Sequence, residues 1–397
     1  MEISNRIQAL AASQTLAMSQ KSAELKAKGI DVINLSVGEP DFFTPAHIKE
    51  AAIKAIEDNF SFYSPVPGYM SLRKAIADKL SRENGLAFEP AQIVVGNGAK
   101  HALCNVVLTV VNPGDEVIIP TPAWVSYVEM VKLAEGTTVE VPTGIDQDFK
   151  MTPAQLESAI TPRTKAIVLC SPSNPTGSVY TGAELQALVS VLERHPQIVV
   201  IADEIYEHIN YTGGSFVSLA SFPEIAARTV VINGVSKAYA MTGWRIGYAA
   251  ARPDVIKGIM AVQSQTTSAT SAISQKAAVT ALQGPQYDLH DMVAEFKRRK
   301  DYVVSRLNAM PGITCPDVKG AFYVYPDVGP YLHKRFGDRN IETAVDLCQY
   351  LLDEALISTV PGEAYNVPGK IRISYSNSME NLKEALDRME KALSALQ

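Results

Sequence analysis

Short apolar segments that alternate with helical patterns constrain the fold of this chain more than any other feature. Five such segments, each of four to six residues, cover residues 92–95, 116–119, 165–169, 197–202 and 229–232. Apolar runs of that length are typical of strands buried on both faces. Their alternation with helices predicts an α/β fold with a mostly parallel sheet. The alternation stops near residue 285, where longer amphipathic helices begin, so we predict a domain boundary there.

The composition is that of an ordinary globular protein of 397 residues, which is long enough for two domains. The net charge of -6 gives nucleic-acid binding no electrostatic support. We interpret the one basic run, residues 297–300, as a solvated helix face. The four cysteines show no metal-ligand spacing, so we predict no metal site and a reducing compartment.

The first residues lack the apolar core of a signal peptide, and no apolar run is long enough to span a membrane. We therefore expect a cytoplasmic protein without a membrane partner. Residues 1–30 are predicted to form an arm and a helix from about Leu16 to Lys28. A helix at 45–59 is predicted to have Thr44 as its cap and Pro45 at its first position. Residues 320–325 predict an alternating strand.

The segment 233–247, NGVSKAYAMTGWRIG, holds the residues with the clearest chemistry. Lys237 follows an apolar strand in a turn of small residues, where loss of hydration lowers a lysine pKa. Such a lysine is a nucleophilic amine that forms Schiff bases. Arg245 presents a planar fork that binds two phosphate oxygens at once. An aldehyde that is also a phosphate ester suits both residues, which points to pyridoxal 5'-phosphate. Taken alone, a surface lysine and a salt-bridge arginine are the commoner interpretation.

This segment resembles the lysine signature of class I aminotransferases. The shared positions are Gly234, Ser236, Lys237, Ala240, Met241, Gly243, Arg245 and Gly247. Further motifs that resemble the family follow in order from Gly38 to Arg372, and the similarity is greatest to the bacterial aspartate aminotransferases that bind the distal carboxylate with a lysine. The resemblance implies a fold-type I transferase dependent on pyridoxal phosphate. Its large domain would have a mostly parallel sheet of the seven-stranded type with helices on both faces, beside a smaller α+β domain.

The implied domains are residues 1–44 (an N-terminal arm and part of the small domain), 45–285 (the large cofactor-binding domain) and 286–397 (the C-terminal small domain). In the family a tyrosine reaches the cofactor phosphate of the other subunit, and here that tyrosine is Tyr63. The resemblance therefore implies a homodimer with active sites at the interface. A buried tyrosine without such a role is the alternative.

The strand at 92–95 leads into Gly96-Asn97-Gly98-Ala99-Lys100 and then a helix. Glycines between a strand and a helix N-terminus make an anion site, and we predict that Gly98, Ala99 and Lys100 bind the cofactor phosphate. A dinucleotide site is excluded because His101 stands where the third glycine is required. His101 itself is interpreted as a packed helix residue.

The ring of the cofactor needs an aromatic face and polar partners. The resemblance implies that Trp124 stacks on the ring. It also implies that Asn174 and Tyr206 each form a hydrogen bond with the ring oxygen. Asp203 follows the strand at 197–202, where α/β sheets bind ligands, and a carboxylate there holds the ring nitrogen protonated. Glu204 is interpreted as structural. Without the resemblance, Trp124 would be a core residue and Asn174 part of an ordinary turn.

Substrate contacts follow from the same resemblance. Arg372 lies on a strand with alternating pattern and would bind the substrate α-carboxylate; a strand-edge salt bridge is the alternative. Gly38, in the segment SVGEPDF, would lie near that carboxylate, with Trp124 and Asn174 beside the substrate. Residues 263–272 contain no arginine for a distal carboxylate. Lys100 is the remaining cation, and whether it binds that carboxylate or the cofactor phosphate stays open.

The implied activity is a ping-pong transfer of the amino group of L-aspartate to 2-oxoglutarate, with Lys237, Asp203 and Tyr206 as catalytic residues. Prephenate, aromatic or alanine-like substrates remain alternatives, as does a β-lyase that cleaves C–S bonds. A cofactor-binding regulator would need a DNA-binding appendage, and residues 1–30 are too short and not basic enough for one.

Overall fold

A seven-stranded sheet forms the centre of the larger part of the molecule in a computed structural model that describes residues 3–11 and 14–397. The first two residues of the predicted arm, and residues 12 and 13 within it, lie outside the described residues. The strands are β1 (Ile33–Asn34), β2 (Ile93–Asn97), β3 (Glu116–Thr121), β4 (Thr137–Pro142), β5 (Thr164–Cys170), β6 (Val199–Asp203), β7 (Thr229–Gly234), β8 (Ile246–Ala250), β9 (Tyr323–Val324), β10 (Lys334–Phe336), β11 (Arg339–Ile341), β12 (Ile357–Ser358), β13 (Val360–Pro361) and β14 (Ile371–Ser374).

The helices of the described residues surround this sheet and build most of the smaller part. They are α1 (Asn5–Gln8), α2 (Gln14–Ala27), α3 (Ala46–Glu57), α4 (Met70–Asn84), α5 (Ala99–Val110), α6 (Ser126–Leu133), α7 (Pro153–Ala159), α8 (Gly182–Leu192), α9 (Pro223–Ala226), α10 (Pro253–Thr266), α11 (Ala272–Gln283), α12 (Tyr287–Ala309), α13 (Ala344–Glu354) and α14 (Met379–Ser394).

The central sheet has the order β2-β8-β7-β6-β5-β3-β4. Only β8 runs antiparallel to its neighbours β2 and β7, and the other pairs are parallel. Along β2 the side chains alternate between two cores, with Val94 in one and Ile93 and Val95 in the other. Helices therefore cover both faces, as parallel sheets require, and the predicted α/β class is confirmed.

Strand β4 was not predicted from the sequence. It lies at the edge of the sheet, and Val141 is its one buried residue. Because an edge strand need not bury both faces, its sequence TTVEVP contains no apolar run that would reveal it.

The smaller α+β part is built from both ends of the chain. Strand β1, near the N-terminus, pairs in parallel with β12. Strands β13, β14 and β9, from the C-terminal part, form an antiparallel sheet in that order. The strand predicted at 320–325 is confirmed only for Tyr323 and Val324, and its predicted alternation is wrong because residues 320–325 are all buried. Helices α11 and α12 are separated by residues 284–286, which include the position of the predicted domain boundary.

Two further expectations are wrong in part. Arg299 and Lys300 of the basic run are buried, since the Arg299 Nη1 atom donates to Asp41 Oδ1 at 2.6 Å and the Lys300 ammonium lies 2.8 Å from Asp317 Oδ1. Burial is possible because each charge is paired. Helix α3 has Pro45 at its N-cap, and Thr44 instead donates to the carbonyl of Ala240 at 2.7 Å.

No helix in the described part of the chain has the length and apolarity needed to cross a membrane.

Candidate active site

A cavity of about 410 Å³ opens where the carboxyl ends of the central strands meet the N-terminus of α5. It brings together most of the residues that the sequence singled out. Those that line it are Gly38, Ala99, Lys100, Trp124, Asn174, Asp203, Tyr206, Ser236, Lys237, Arg245 and Arg372. Gly98 lies directly behind the wall against Arg245, and Tyr63 does not line the cavity.

Lys237 lies in the turn after β7, and its amine donates to the carbonyl of Gly38 at 2.6 Å. Burial lowers the pKa of the Lys237 amine to about 8. The acid Glu39 opposes this effect and raises the pKa. Arg245 and Arg372 lower the pKa further, and Asp203 raises it. An amine in this state exists in both protonation forms near neutral pH, as a nucleophile and proton carrier requires.

Cationic and dipolar groups converge at the N-terminus of α5. Arg245 has a left-handed backbone (φ 58°), and its guanidinium donates to the carbonyls of Thr242 at 2.9 Å and Asn97 at 3.1 Å. Gly98 also has positive φ (85°), and a Cβ atom there would lie 2.4 Å from Arg245 Nη2. Only glycine leaves room for the arginine beside the helix start, where unpaired amides and the helix dipole attract an anion.

Lys100 and Trp124 form one wall of the cavity. The Lys100 ammonium lies 4.8 Å from the centre of the Trp124 ring, as in a cation–π contact. Loss of hydration at the wall, together with Arg245, lowers the pKa of Lys100. The wall therefore presents an aromatic face and a cation that pairs with no carboxylate of the described residues.

Asp203 ends β6 at the floor of the cavity and is buried. Its carboxylate accepts hydrogen bonds from the Tyr127 hydroxyl at 2.7 Å and from the amide of Ile205 at 3.3 Å. Burial raises the pKa of Asp203, whereas the Tyr127 hydrogen bond, the Ile205 amide and Lys237 lower it. The carboxylate is thus fixed in direction and aimed at the cavity.

Tyr206 and Tyr323 both line the cavity, and their hydroxyl groups share a hydrogen bond of 2.9 Å. Burial and the neighbouring Tyr323 hold the pKa of Tyr206 well above its usual value, so its phenol stays neutral and can donate. The Lys237 ammonium lies 5.9 Å from the Tyr206 ring centre. Tyr206 therefore stands within reach of whatever Lys237 binds.

Arg372 is buried on β14, with 2% of its surface exposed. Its guanidinium donates to Asn174 Oδ1 at 3.0 Å and to the carbonyl of Ser36 at 2.6 Å, and it lies 4.5 Å from the Tyr323 ring centre. Its Nε atom is buried and has no hydrogen-bond partner among the described residues, and none of their carboxylates pairs with the guanidinium. A buried guanidinium in this state, at the wall of a cavity, is arranged to bind a carboxylate.

Tyr63 lies outside this cavity and is fully exposed in the single chain. Its loop is held in place by two buried glutamines. Gln275 donates to Ser64 Oγ at 2.8 Å, and Gln263 donates to the carbonyl of Val66 at 2.7 Å. The loop is therefore built to present Tyr63 outward from its own chain.

Several contacting residues were missed from the sequence. Tyr127, Cys170, Ile205, Thr242 and Tyr323 also line the cavity. Each lies next to a recognised motif, but nothing in its local pattern separates a cavity residue from a core residue. Glu204, beside Asp203, accepts from Ser218 Oγ at 2.7 Å and does not line the cavity, in keeping with a structural role.

One group of three possible metal ligands occurs among the described residues: Glu83, Glu207 and His208. Lys79 already occupies it, because its ammonium contacts Glu207 and lies 3.5 Å from Glu83. Lys79 and Glu207 are buried and Glu83 is exposed, so this group is a partly buried ion-pair network.

The donor set of the cavity fits pyridoxal 5'-phosphate. Arg245 and the α5 amides suit the phosphate, Trp124 offers a face for the ring, and Asp203 offers a fixed carboxylate for the ring nitrogen. Lys237 supplies an amine of lowered pKa for the aldehyde. These groups are the ones that the cofactor's own functional groups require.

Comparison with known proteins gives the same result. The sequence profile of the family "Aminotransferase class I and II" matches residues 30–389. The aspartate/prephenate aminotransferase of Nitrosomonas europaea is 47% identical over 397 residues, covering 99% of this chain and 100% of that protein. Among solved structures, the aspartate aminotransferase from Rhizobium meliloti has a TM-score of 0.96 at 45% identity, with 100% of both chains covered.

The aspartate aminotransferase from Thermus thermophilus, solved with maleate, has a TM-score of 0.93 at 39% identity, covering 99% of this chain and 100% of that chain. Sequence profile, full-length relatives and fold agree with the arrangement of Lys237 and Arg245 in one cavity. The chain therefore belongs to the class I and II aminotransferases, enzymes that depend on pyridoxal 5'-phosphate.

Proposed function

We propose that the protein transfers the amino group of L-aspartate to 2-oxoglutarate, giving oxaloacetate and L-glutamate by a ping-pong mechanism. The observation that carries this proposal is that two further cations, Arg372 and Lys100, share the cavity with Lys237 and Arg245. A dicarboxylic substrate needs a cationic partner for each carboxylate. The names of the relatives, and the dicarboxylate maleate in the Thermus structure, support the same substrate class.

Lys237, Asp203 and Tyr206 are the proposed catalytic residues. The Lys237 amine would accept the proton from the substrate α-carbon as a base and then donate it, as an acid, to the cofactor carbon, because its pKa of about 8 makes both forms accessible. Asp203 would hold a proton on the ring nitrogen, and the Tyr206 hydroxyl would donate to the ring oxygen. The bound cofactor supplies an electron sink for the charge left by proton removal.

Binding is proposed to divide between two ends of the cavity. At one end, Arg245 and Ser236, with Gly98 and Ala99 of the α5 start, hold the phosphate. At the other, Arg372 and Asn174 orient the α-carboxylate near Gly38, and Trp124 covers the ring between the two ends. Arg372 is ready for this role because Asn174 and Ser36 already fix its guanidinium.

Lys100 is proposed to bind the distal carboxylate. Its ammonium lies over the Trp124 ring, while Arg245 already serves the α5 start where a phosphate would lie. Because Lys100 begins the same helix, a contact with the phosphate is the competing role. The Lys100→Met variant described in the Discussion separates the two roles.

We further propose a homodimer in which Tyr63 reaches the phosphate of the partner's site. Tyr63 is 100% exposed and its neighbour Phe62 is 81% exposed, on a loop that is otherwise firmly anchored. Exposed aromatic residues on an anchored loop are typical of an interface. Sedimentation should show a dimer, and a fully active monomer would contradict the proposal.

The domain limits remain a proposal, with residues 1–44 and 286–397 in the small domain and 45–285 in the large one. The pairing of Ile33 with Ile357, and the break between α11 and α12, support these limits. A cytoplasmic location is also proposed, supported by four cysteines that are all free thiols.

The test is a half-reaction with the purified holoenzyme. Aspartate alone should abolish the visible band of the bound cofactor and release oxaloacetate, and 2-oxoglutarate should then restore the band. A band that responds to alanine or an aromatic amino acid and not to aspartate would overturn the substrate assignment. Ammonia and pyruvate released from cystathionine without an acceptor would indicate a C–S lyase.

Prephenate is a second candidate acceptor, because the Nitrosomonas relative is named an aspartate/prephenate aminotransferase. Replacing 2-oxoglutarate by prephenate in the second half-reaction tests it. Recovery of the band at a comparable rate would establish dual use, and no recovery would exclude it.

A further inference from the structure

The carboxylate of Glu39 is held at the rim of the cavity by a side chain of the cofactor-binding loop. Its Oε2 atom accepts a hydrogen bond from Thr242 Oγ1 at 2.8 Å. Thr242 lines the cavity, and its carbonyl accepts from Arg245 Nη1 at 2.9 Å. Glu39 also directly follows Gly38, whose carbonyl accepts from the Lys237 amine at 2.6 Å. An exposed acid is thus tied to the loop of Arg245 and to the backbone that holds Lys237.

The charged groups around Lys237 show how a carboxylate at position 39 can act on the Lys237 amine. Arg245 and Arg372 lower the pKa of the amine, in addition to the larger effect of its burial. Two acids oppose them, Glu39 and Asp203, and Glu39 has the greater influence. Asp203 is also engaged by Tyr127 and the Ile205 amide, and the neutral Tyr206 ring lies 5.9 Å away.

We propose that Glu39 is a positioning residue for the Lys237 amine. Its carboxylate, aimed by Thr242, stabilises the ammonium form of Lys237 and keeps it against the Gly38 carbonyl. This goes beyond the reaction itself and rests on Lys237 being the reacting amine.

The proposed role of Glu39 follows from the two tasks of the Lys237 amine. It must lose a proton to attack or to act as a base, and it must hold a proton to act as an acid. Burial and two arginines favour the neutral form, so a nearby negative charge is needed to keep the ammonium form accessible near neutral pH. Glu39 supplies that charge without entering the cavity, where it would repel a carboxylate substrate.

The experiment measures the protonation of Lys237 directly. Full-length protein freed of cofactor is treated with cyanate, which carbamylates neutral amines, across a range of pH. Mass spectrometry of the peptide that contains Lys237 then gives the pH of half-maximal rate. The variants are Glu39→Gln and Thr242→Val, with Glu224→Gln, another exposed acid, as the matched control.

The wild-type midpoint should lie near the pKa of about 8. In Glu39→Gln it should fall by roughly half a pH unit or more, because one opposing charge is removed. Thr242→Val should shift it the same way by less, and Glu224→Gln should leave it unchanged. Equal midpoints in wild type and Glu39→Gln would overturn the proposal, and an unshifted Thr242→Val would overturn the role of Thr242.

A wild-type midpoint near that of ordinary surface lysines would instead refute the assignment of Lys237 as a tuned amine. The holoenzyme provides a second readout, because the visible absorbance of the bound cofactor reports protonation of the nitrogen attached to it. Its pH midpoint should move down in Glu39→Gln. An unchanged absorbance midpoint, with activity lost at every pH, would show a merely structural role and contradict the proposal.

Discussion

The Tyr127 hydroxyl donates a hydrogen bond to Asp203 Oδ2 at 2.7 Å, and both side chains are buried. The contact joins the first turn of α6 to the end of β6 across 76 positions of sequence. It favours the charged form of a carboxylate whose pKa burial otherwise raises. Tyr127 therefore supports the negative charge that Asp203 is proposed to present to the cofactor.

Tyr127→Phe should reduce kcat by about tenfold or more, since a hydrogen bond to a charged group contributes about 1.5–3 kcal/mol. Binding of the cofactor phosphate should change little, because the substitution leaves Arg245 and α5 intact. Steady-state kinetics and cofactor titration measure both effects. Tyr350→Phe is the control, because its hydroxyl donates to the carbonyl of Ala392 far from the cavity. Equal losses in the two variants would contradict a specific role for Tyr127.

Gly98→Ala should weaken cofactor binding by at least about tenfold. The new methyl group would lie 2.4 Å from Arg245 Nη2 and must displace the guanidinium. Gly85→Ala is a matched control, because Gly85 also has positive φ (67°) but has no atom within 4 Å of a new Cβ. That control should lose about 1 kcal/mol of unfolding free energy through backbone strain alone and keep its cofactor affinity. Fluorescence titration and urea unfolding separate the two effects.

Lys100→Met should raise KM for aspartate by about tenfold or more and leave KM for alanine within about threefold, since only aspartate carries a second carboxylate. Trp124 and its ring face are retained in this variant. Kinetics with both amino acids, combined with cofactor titration, measure the difference. If the affinity for the cofactor falls and the two KM values rise together, Lys100 binds the phosphate instead.

The free energy of unfolding of the cofactor-free protein should depend on pH in a way that reflects the lowered pKa of Lys237. Its folded pKa of about 8 lies below the ordinary lysine value of 10.5, so between these values the unfolded chain binds the extra proton. Stability then rises with pH in this window, and the cost of burying Lys237 fades toward its upper end. Lys237→Met removes this cost, so its advantage over wild type should shrink by about 2 kcal/mol between about pH 7.5 and about pH 9.5. Urea unfolding at both pH values tests this, and an advantage independent of pH would refute it.

Local sequence patterns were sufficient to predict an element or a site position where it depends only on neighbouring residues in the sequence. The apolar strands predicted the central sheet, and Asp203, Lys237 and the α5 start lie at the ends of those strands or just after them. The edge strand β4 escaped notice because it has little apolar surface to bury. Burial of Arg299 was equally invisible, since its partner Asp41 lies 258 positions away in sequence.

Contacts between distant segments account for the rest of what was missed. The Tyr206–Tyr323 hydroxyl pair spans 117 positions, and the carbonyls of Ser36 and Gly38 have no side chain to mark them. Which tyrosine meets which partner depends on strand register and domain packing. A sequence pattern within one segment contains no information on strand register or on domain packing.

Arg372 bonds to Ser36, 336 positions earlier, and to Asn174, 198 positions earlier. During synthesis on a ribosome, every residue assigned to the phosphate and the ring leaves the exit tunnel more than a hundred residues before this arginine. The nascent chain therefore exposes the residues assigned to the phosphate and the ring before Arg372, the residue proposed to bind the substrate α-carboxylate.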